Sequence, residues 1–537
     1  MEKRDHLKAF LNQEMGAEDL FSLDFRKEPD RICAIHQAQK KGVSSAALSA
    51  ITKINSSPLP KQKENLEKLS HQGVVTVIAG QQIGFAGGAY LTVLKAVTAV
   101  KAARDLEEQT GVKCVPIFWM QTEDHDYKEI ESTSFYSEQE GLYSLMLKQP
   151  ACHDSVGKIV IDEETSKTVK DVLDTSPLSK DIQHLLEPYH KVGTSLPRAF
   201  QQCMQHILGA TGILFFDPLQ SELDEERANF FPTALGKHRE ISELLLQRED
   251  VLLKNGFHTQ VKLKKGSPLF FMSWEEKRQR LTPHAEDIDR LYHQDTPFLI
   301  PELLELIKAE PHRFTSSALL RPLFQDTLFP TAITVAGPAE FRYLSQIKPL
   351  YPLFGLKQPL ILPRSHCTII SKALQGRLKE LGLTIDQFSK PVSDLVFQSG
   401  ITEASRPETL FSSAERQILG IYDTLASDVL TVAGGLKKSV DLTRNSIITN
   451  LSKFRGTYER TLLSQHKELN DELTKIQIYL FPNQAPQERT LNIFSWGETL
   501  AQSFIHLLGE DIRPFEHQQR LTYIIEDDLT SLTAGRA

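Results

Sequence analysis

The first 70 residues space their apolar side chains as amphipathic helices do, and Ser56-Ser57-Pro58-Leu59-Pro60 breaks whatever helix precedes it. This predicts a helical lead-in. The pattern then changes character. Val74 to Ala79 (VVTVIA) is a short apolar run rich in β-branched residues, as expected of a strand buried on both faces of a parallel sheet. A glycine-rich turn follows it. The stretch from Ala89 to Glu108 (AYLTVLKAVTAVKAARDLEE) holds neither Gly nor Pro and predicts a helix, and Val112 to Met120 (VKCVPIFWM) predicts a second strand. Strand, glycine turn, helix and strand make a βαβ unit.

The same alternation returns further along. Gly212 to Asp217 (GILFFD) predicts a strand, Glu222 to Lys254 a helix, Thr331 to Ala336 (TAITVA) a strand leading into a helix from Ala339, and Pro359 to Leu362 (PLIL) another strand. The fold class is therefore α/β, with a Rossmann-like parallel sheet as its core and the segments near 140–161 and 257–273 as β-containing insertions. Beyond residue 370 strand signals nearly vanish. Leu451, Phe454, Tyr458, Leu462, Leu469, Leu473, Ile476 and Leu480 fall on one stripe of a long helix, a coiled-coil pattern that Gln465 interrupts and Pro482-Asn483 ends. Residues 403–440 supply a candidate antiparallel partner. The expected organisation is a core domain with insertions over 1–371 and a helical coiled-coil domain over 372–537, forming a homodimer through the coiled coil.

Composition narrows the function classes. With 61 Lys+Arg against 69 Asp+Glu, the net charge of -8 offers no global basic surface, so no nucleic-acid partner is expected. No run of about eighteen apolar residues occurs and the first residues carry no apolar signal segment, so a cytoplasmic protein without membrane contact is expected. The cysteines Cys33, Cys114, Cys152, Cys203 and Cys367 are odd in number and never spaced C-x-x-C, which suggests reduced thiols and excludes a zinc ribbon.

Three segments carry candidate chemistry. Gly80-Gln81-Gln82-Ile83-Gly84-Phe85-Ala86-Gly87-Gly88 links the first strand to its helix, where glycine N–H groups and the helix N-terminus suit an anion. It matches neither G-x-G-x-x-G nor the P-loop pattern, and a tight turn is the plain alternative. Gln81 and Gln82 sit where the chain leaves the carboxyl edge of a sheet, the place open α/β sheets bind ligands. Glu123-Asp124-His125-Asp126 follows the second strand at the same edge, so the carboxylates could raise the pKa of His125 for general-base work, or simply form a solvated turn. Arg321, Glu340 and Arg364 lie beside predicted strands in LRPLFQD, GPAEFRY and LPR, and the two arginines suit a carboxylate or phosphate unless Arg321 only pairs with Asp326. Cys203 and His206, three apart on a predicted helix, are more plausibly packing than half a metal site.

Taken together and in this order, AGQQIGFAGGAYLTVLKA, FWMQTEDHD, LRPLFQDTLFPTAITVAGPAEFRYLSQI, PLILPR and FPNQAPQERTLNI resemble the cysteine ligases that perform the last step of bacillithiol biosynthesis. The resemblance spans nearly the whole chain. It implies a nucleotidyltransferase-like Rossmann core with a dimerising coiled coil, and a reaction that attaches cysteine to the amine of a glucosaminyl-malate conjugate. Amide formation from a free carboxylate needs an activated acyl donor, which argues for ATP; the residues themselves fix no cofactor. The candidate site is then His125 and Asp124 as catalytic groups, Gln81, Gln82, Tyr90, Glu123, Arg321, Glu340 and Arg364 as substrate ligands, Gly80, Gly84, Gly87 and Gly88 as the cofactor loop, and no metal. The competing class is a non-catalytic nucleotide-binding coiled-coil scaffold or adaptor. Convergence of Gln82, Asp124 and His125 with Arg321 or Glu340 on one concave pocket distinguishes the two.

Overall fold

The computed structural model describes residues 4–137, 141–147, 154–275, 277–283, 289–516, 520–526 and 532–535. Five parallel strands form the central sheet: β1 (Val75–Gln81), β2 (Cys114–Met120), β3 (Leu214–Phe216), β4 (Thr331–Ala336) and β5 (Leu360–Pro363), in the order β5-β4-β1-β2-β3. All seven residues of β2 and six of the seven in β1 are buried, which is why these strands read as continuous apolar runs. The chain moves from β1 to β2 on one side and to β4 on the other. The crevice at the carboxyl ends of β1 and β4 is therefore the topological switch point, where an open α/β sheet leaves room for a ligand.

The helix Leu91–Thr110 connects β1 to β2 and ends at Gly111, whose left-handed backbone (φ 70°) closes the last turn. It is buried on nearly every side over Thr92–Ala99, because the helix Glu498–Asp511 covers what the sheet does not. The helical lead-in takes the form of short helices His6–Leu11, Glu28–Ala38, Ser45–Ile54 and Pro60–Leu69, with the break at Ser56–Leu59 as predicted.

Several expectations are corrected. The helix predicted over 222–254 is two, Asp224–Gly236 and His238–Lys254, separated at Lys237 behind a helix-weakening glycine. The first insertion contributes the hairpin Ser132–Ser137 with Gly141–Met146, beginning earlier than expected, while 148–153, and Cys152 with them, lie outside the described residues. The second insertion starts its strands at Phe270–Trp274 and continues through Lys277–Arg280 to Thr296–Leu299, so most of 257–269 is irregular. The long helical stripe breaks at His466 (φ -108°, ψ 36°) into Lys437–Gln465 and Lys467–Leu480. There the chain passes from a projecting hairpin into a core, where Leu473 and Leu480 pack with Phe388, Leu395 and Val396. The expected antiparallel partner is Pro407–Val432, tied to the hairpin's return arm by Tyr422 donating to the Val440 carbonyl (2.8 Å) and by Phe411 against Phe454. Strands also return after residue 370, since Cys367–Ser371 pairs in parallel with Leu521–Ile525, itself antiparallel to Leu532–Gly535. The partners in the parallel pair, Cys367 and Leu521 onward, are 154 residues apart, which hides that pairing from local pattern. Among the described residues no helix is long and apolar enough to cross a membrane.

The C-terminal segment is held against the sheet by one buried carboxylate. Glu488 accepts from Arg364 Nη2 (2.7 Å) and from the Cys367 N–H (2.9 Å), and lies 2.7 Å from His366 Nδ1. Arg364 and Glu488 are 3% and 1% exposed. Burial alone would raise the Glu488 pKa, but Arg364 and His366 outweigh it and hold the carboxyl at about 2, below the ordinary 4.5. A depressed carboxyl pKa adds stability above the ordinary value, and that stability is lost as pH falls toward the folded value. Glu488→Gln is expected to cost about 3 kcal/mol near neutral pH, because Arg364 stays buried without its counter-charge. Denaturant unfolding should show the gap between wild type and variant narrowing as pH drops from about 4.5 toward 2.

Candidate active site

A cavity of about 440 Å³ opens at the carboxyl edge of the sheet. Four of the five strand ends supply part of it: Gln81 and Gln82 from β1, Gln121, Glu123 and Asp124 after β2, Gly337 to Glu340 after β4, and Arg364 after β5. The helix Arg321–Leu328 adds Arg321, and the second insertion adds Phe271, Arg278 and Arg280.

Lys95 organises the near wall. It sits one turn into the helix Leu91–Thr110, almost fully buried, and donates to the Gly80 carbonyl (2.7 Å) and Gln81 Oε1 (2.9 Å) while pairing with Glu340. The same Glu340 oxygen also accepts from the Gly337 N–H (2.7 Å), as befits an acid at the start of the helix Pro338–Gln346. Burial drives the Lys95 pKa down even though Glu340 opposes the shift. Arg321 is held by neutral partners, the Tyr343 hydroxyl (2.9 Å) and Gln325 Oε1 (3.2 Å), and no carboxylate contacts it directly among the described residues. The alternative reading, a pair with Asp326, does not form; Asp326 accepts from Tyr351 instead (2.9 Å).

Glu123 is 5% exposed and accepts from the Ser316 N–H (3.2 Å). Burial raises its pKa, with Arg227, Arg278 and Arg321 pulling the other way. Gln82 Nε2 donates to Asp124 (2.8 Å). His125 points out of this cavity into a neighbouring hollow, where Arg278 Nη1 lies 2.6 Å from its Nδ1. A guanidinium only donates, so Nδ1 accepts and the ring is neutral with its proton on Nε2. Burial and Arg278 lower the His125 pKa more than Asp124 and Asp126 raise it, the reverse of the expectation from sequence.

The chain matches two family models in succession: the N-terminal Rossmann-like domain of bacillithiol biosynthesis BshC over residues 1–365, and the C-terminal coiled-coil domain of BshC over 367–524. The chain belongs to the BshC family. Relatives named "Putative cysteine ligase BshC" include one from Salinibacter ruber, 27% identical over 509 residues and covering 92% of both chains. Others come from Geobacillus sp. (strain WCH70) and Geobacillus thermodenitrificans, each 25% identical with 86% of both chains covered.

In this BshC family member the cavity gathers Gln81, Gln82, Glu123, Asp124, Arg321, Glu340 and Arg364 as the sequence suggested. His125 is the exception at its edge. Tyr90 is misplaced by sequence reasoning: it is wholly buried, its hydroxyl within 2.9 Å of the Cys367 carbonyl and 3.0 Å of Gln487 Oε1. The cofactor-loop expectation also fails for Gly84, Gly87 and Gly88. Their loop is clasped by the C-terminal segment, with Asn492 donating to the Ala86 and Gly88 carbonyls, and the N–H groups of Phe85, Gly87, Gly88 and Tyr90 already bond to backbone carbonyls. Close packing explains the glycines, since a Cβ on Gly87 would meet Met204 Sδ at 2.8 Å and one on Gly84 the Gly88 Cα at 2.9 Å. Gly80 lies just behind the cavity wall, where a Cβ would come 3.4 Å from Gln121 Nε2 and 3.6 Å from Arg321 Nη1. Cys203 is buried with its thiol pushed up to about 12, and His206 lies 2.7 Å from Glu498 Oε1, so the two do not form a pair.

Sequence reasoning missed Lys95, Arg278, Ser316 and Glu488. Lys95 had a signal, a lone lysine inside the apolar helical run TVLKAVTAV. Arg278 had none, because an arginine in KRQR on a surface hairpin is ordinary. Removing one partner of the Lys95–Glu340 pair strands the other, so Lys95→Met is expected to cost roughly 3 kcal/mol. In a double-mutant cycle read by chemical denaturation, Lys95→Met with Glu340→Gln should cost less than the two single losses added together.

Proposed function

We propose that the chain is a cysteine ligase that joins the carboxyl of cysteine to the amine of glucosaminyl-malate, with ATP as the acyl-activating co-substrate. The observation that carries this reading is the convergence of Glu123, Asp124, Arg321, Glu340 and Arg364 in one cavity at the switch point, in a chain whose relatives bear the cysteine ligase name. A scaffold has no use for buried charges aimed into a common hollow, since each costs desolvation. Four described cysteines are free thiols, which suits a cytoplasmic enzyme that handles cysteine.

In the bond-forming step the amine attacks the activated acyl carbon, the activating group leaves with its electron pair, and the nitrogen gives up a proton. Arg321 keeps its positive charge facing the cavity because its contacts are neutral, so it suits a substrate carboxylate or the negative charge that develops on the acyl oxygen. Glu123 is the proton acceptor. It faces the cavity, and burial brings its carboxyl toward the range where a base works near neutral pH. Lys95 and Glu340 are positioning residues that fix the Gly80-Gln81 edge. With purified conjugate, cysteine and ATP, Glu123→Gln is expected to lower turnover by about two to four orders of magnitude. His125→Asn should stay within about tenfold, because the ring lies outside the cavity and its accepting nitrogen is taken up by Arg278; the opposite ranking would return the base to His125. Cells lacking the chain should accumulate glucosaminyl-malate, and unchanged thiol pools would favour the adaptor.

The projecting hairpin fits a homodimer. Ile421, Leu425, Val432, Leu442 and Phe454 are each more than half exposed along its two arms. A second copy would cover them. Replacing 407–465 with a short linker, while keeping the core helix Lys467–Leu480, should leave a monomer by sedimentation.

A further inference from the structure

Four carboxylates line the main cavity, and the cations around them are unequally shared. Glu340 has Lys95, and Glu123 has Arg227, Arg278 and Arg321 as charged neighbours. Asp124 and Glu129 are the poorly matched pair. Arg278 stands 4.0 Å from Asp124 but is already committed, donating to Thr315 Oγ1 (2.7 Å) and the Ser316 carbonyl (3.2 Å). Glu129, on the short turn Tyr127–Glu129, forms no ion pair among the described residues.

Gln82 joins these two acids. Its Nε2 donates to Asp124 Oδ2 (2.8 Å), while Asp124 Oδ1 accepts from the N–H groups of His125 (2.7 Å) and Asp126 (3.4 Å). What burial Glu129 has, and then the charges of Asp126 and Asp124, raise its pKa, opposed by hydrogen bonding from the Gln82 side chain. With its amide nitrogen turned to the acids, Gln82 keeps its Oε1 buried and without a hydrogen-bond partner among the described residues, in a residue 8% exposed. An amide oxygen in that state costs free energy until a donor reaches it, whereas a merely solvated turn would leave it in water. The three groups together lack one thing, a donor bearing positive charge.

We propose that Gln82, Asp124 and Glu129 form the subsite for the α-ammonium group of cysteine, which makes the cavity select a free α-amino acid over thiol acids that lack the amine. The inference rests on the ligase reading for the identity of that amino acid. An ammonium carries three N–H donors and one positive charge, which matches one amide oxygen and two carboxylates. The reaction has two amines to place, and their chemistry tells them apart. The conjugate's amine must be neutral to attack, and neighbouring carboxylates would hold its proton on by raising its pKa. Cysteine's own amine takes no part in the bond that forms, so keeping it protonated removes it as a competing nucleophile. Glu123, whose charged neighbours are arginines, is left for the reacting amine, and adjacent residues of one segment thereby serve different substrates.

Calorimetric titration of the full chain under reducing conditions, with L-cysteine and with 3-mercaptopropionate, tests this, because the second probe keeps the carboxylate and thiol but lacks the amine. The wild type should bind cysteine at least about tenfold more tightly. Asp124→Asn with Glu129→Gln should weaken cysteine binding about tenfold or more and change 3-mercaptopropionate binding less than about twofold, which also shows that the variant is folded. Glu129→Gln alone, at a position open to solvent, should lose about threefold or more for cysteine with the same selectivity. Affinity for glucosaminyl-malate should not fall in either variant. A wild type that binds the two thiol acids equally or binds neither, equal losses for both in the variants, no loss for cysteine, or a loss that falls on glucosaminyl-malate instead would each overturn the proposal, the last by giving the subsite to the reacting amine. Accumulation of glucosaminyl-malate in cells lacking the chain judges the ligase reading separately, so a chain that passes that test and fails these titrations loses only the subsite.

Discussion

The architecture depends on burying Glu488. A carboxylate taken out of water is costly unless its oxygens are fully engaged, and here Arg364, His366 and the Cys367 N–H engage both of them. Those three residues follow β5 directly, so the interaction fixes the chain where it leaves the central sheet and starts the second one. The neighbouring Gln487 bonds to the Ile369 N–H and carbonyl and reaches Tyr90, and Asn492 then clasps the glycine loop. One short segment thereby ties the end of β5, the start of the helix Leu91–Thr110 and the first turn after β1 into a single unit. The two family domains meet at this seam, so the boundary in sequence is not a boundary in packing.

That seam also presets the cavity. Arg364 faces both ways, bonded to Glu488 behind and lining the cavity in front, and Lys95 does the same between Gly80 and Glu340. Groups held by internal partners need little reorganisation when a substrate's charge arrives, which is what makes fixed dipoles and charges effective in a water-poor site. Arg321 differs because its partners are neutral, which leaves its charge uncompensated by any direct carboxylate contact among the described residues.

The central sheet was legible in the sequence because doubly buried strands are continuous apolar runs with glycine or helix signals at their ends, and β1, β2 and β4 fall within two residues of expectation. Placing Gln82, Asp124, Arg321 and Glu340 on one edge followed from that same reading, since residues just past parallel strands share an edge whatever their separation. What stayed hidden depends on contacts between distant segments. Nothing near Tyr90 in the chain announces Gln487, and nothing near His125 announces Arg278, which arrives on an inserted hairpin some 150 residues later and reverses the sign of the imidazole's shift. Local acids suggested a raised pKa; the three-dimensional neighbour decided otherwise. The sequence-adjacent Glu123 escaped attention as a base for the complementary reason, because burial is invisible in a tetrapeptide.

The break at His466 separates two demands that a single long helix would couple. Below it, Leu473 and Leu480 belong to a core shared with Phe388 and Leu395, and Tyr479 donates to the Ile369 carbonyl beside the Glu488 seam. Above it, the hairpin is held mainly by its own antiparallel contacts and carries apolar side chains in the open. A continuous helix would transmit every bend of the projecting arms to the residues that seat the second sheet. With the backbone turned at His466, Lys467–Leu480 is held by the core while the arms above it keep their own antiparallel contacts, so the packing of the hairpin and the packing that seats the second sheet rest on different residues.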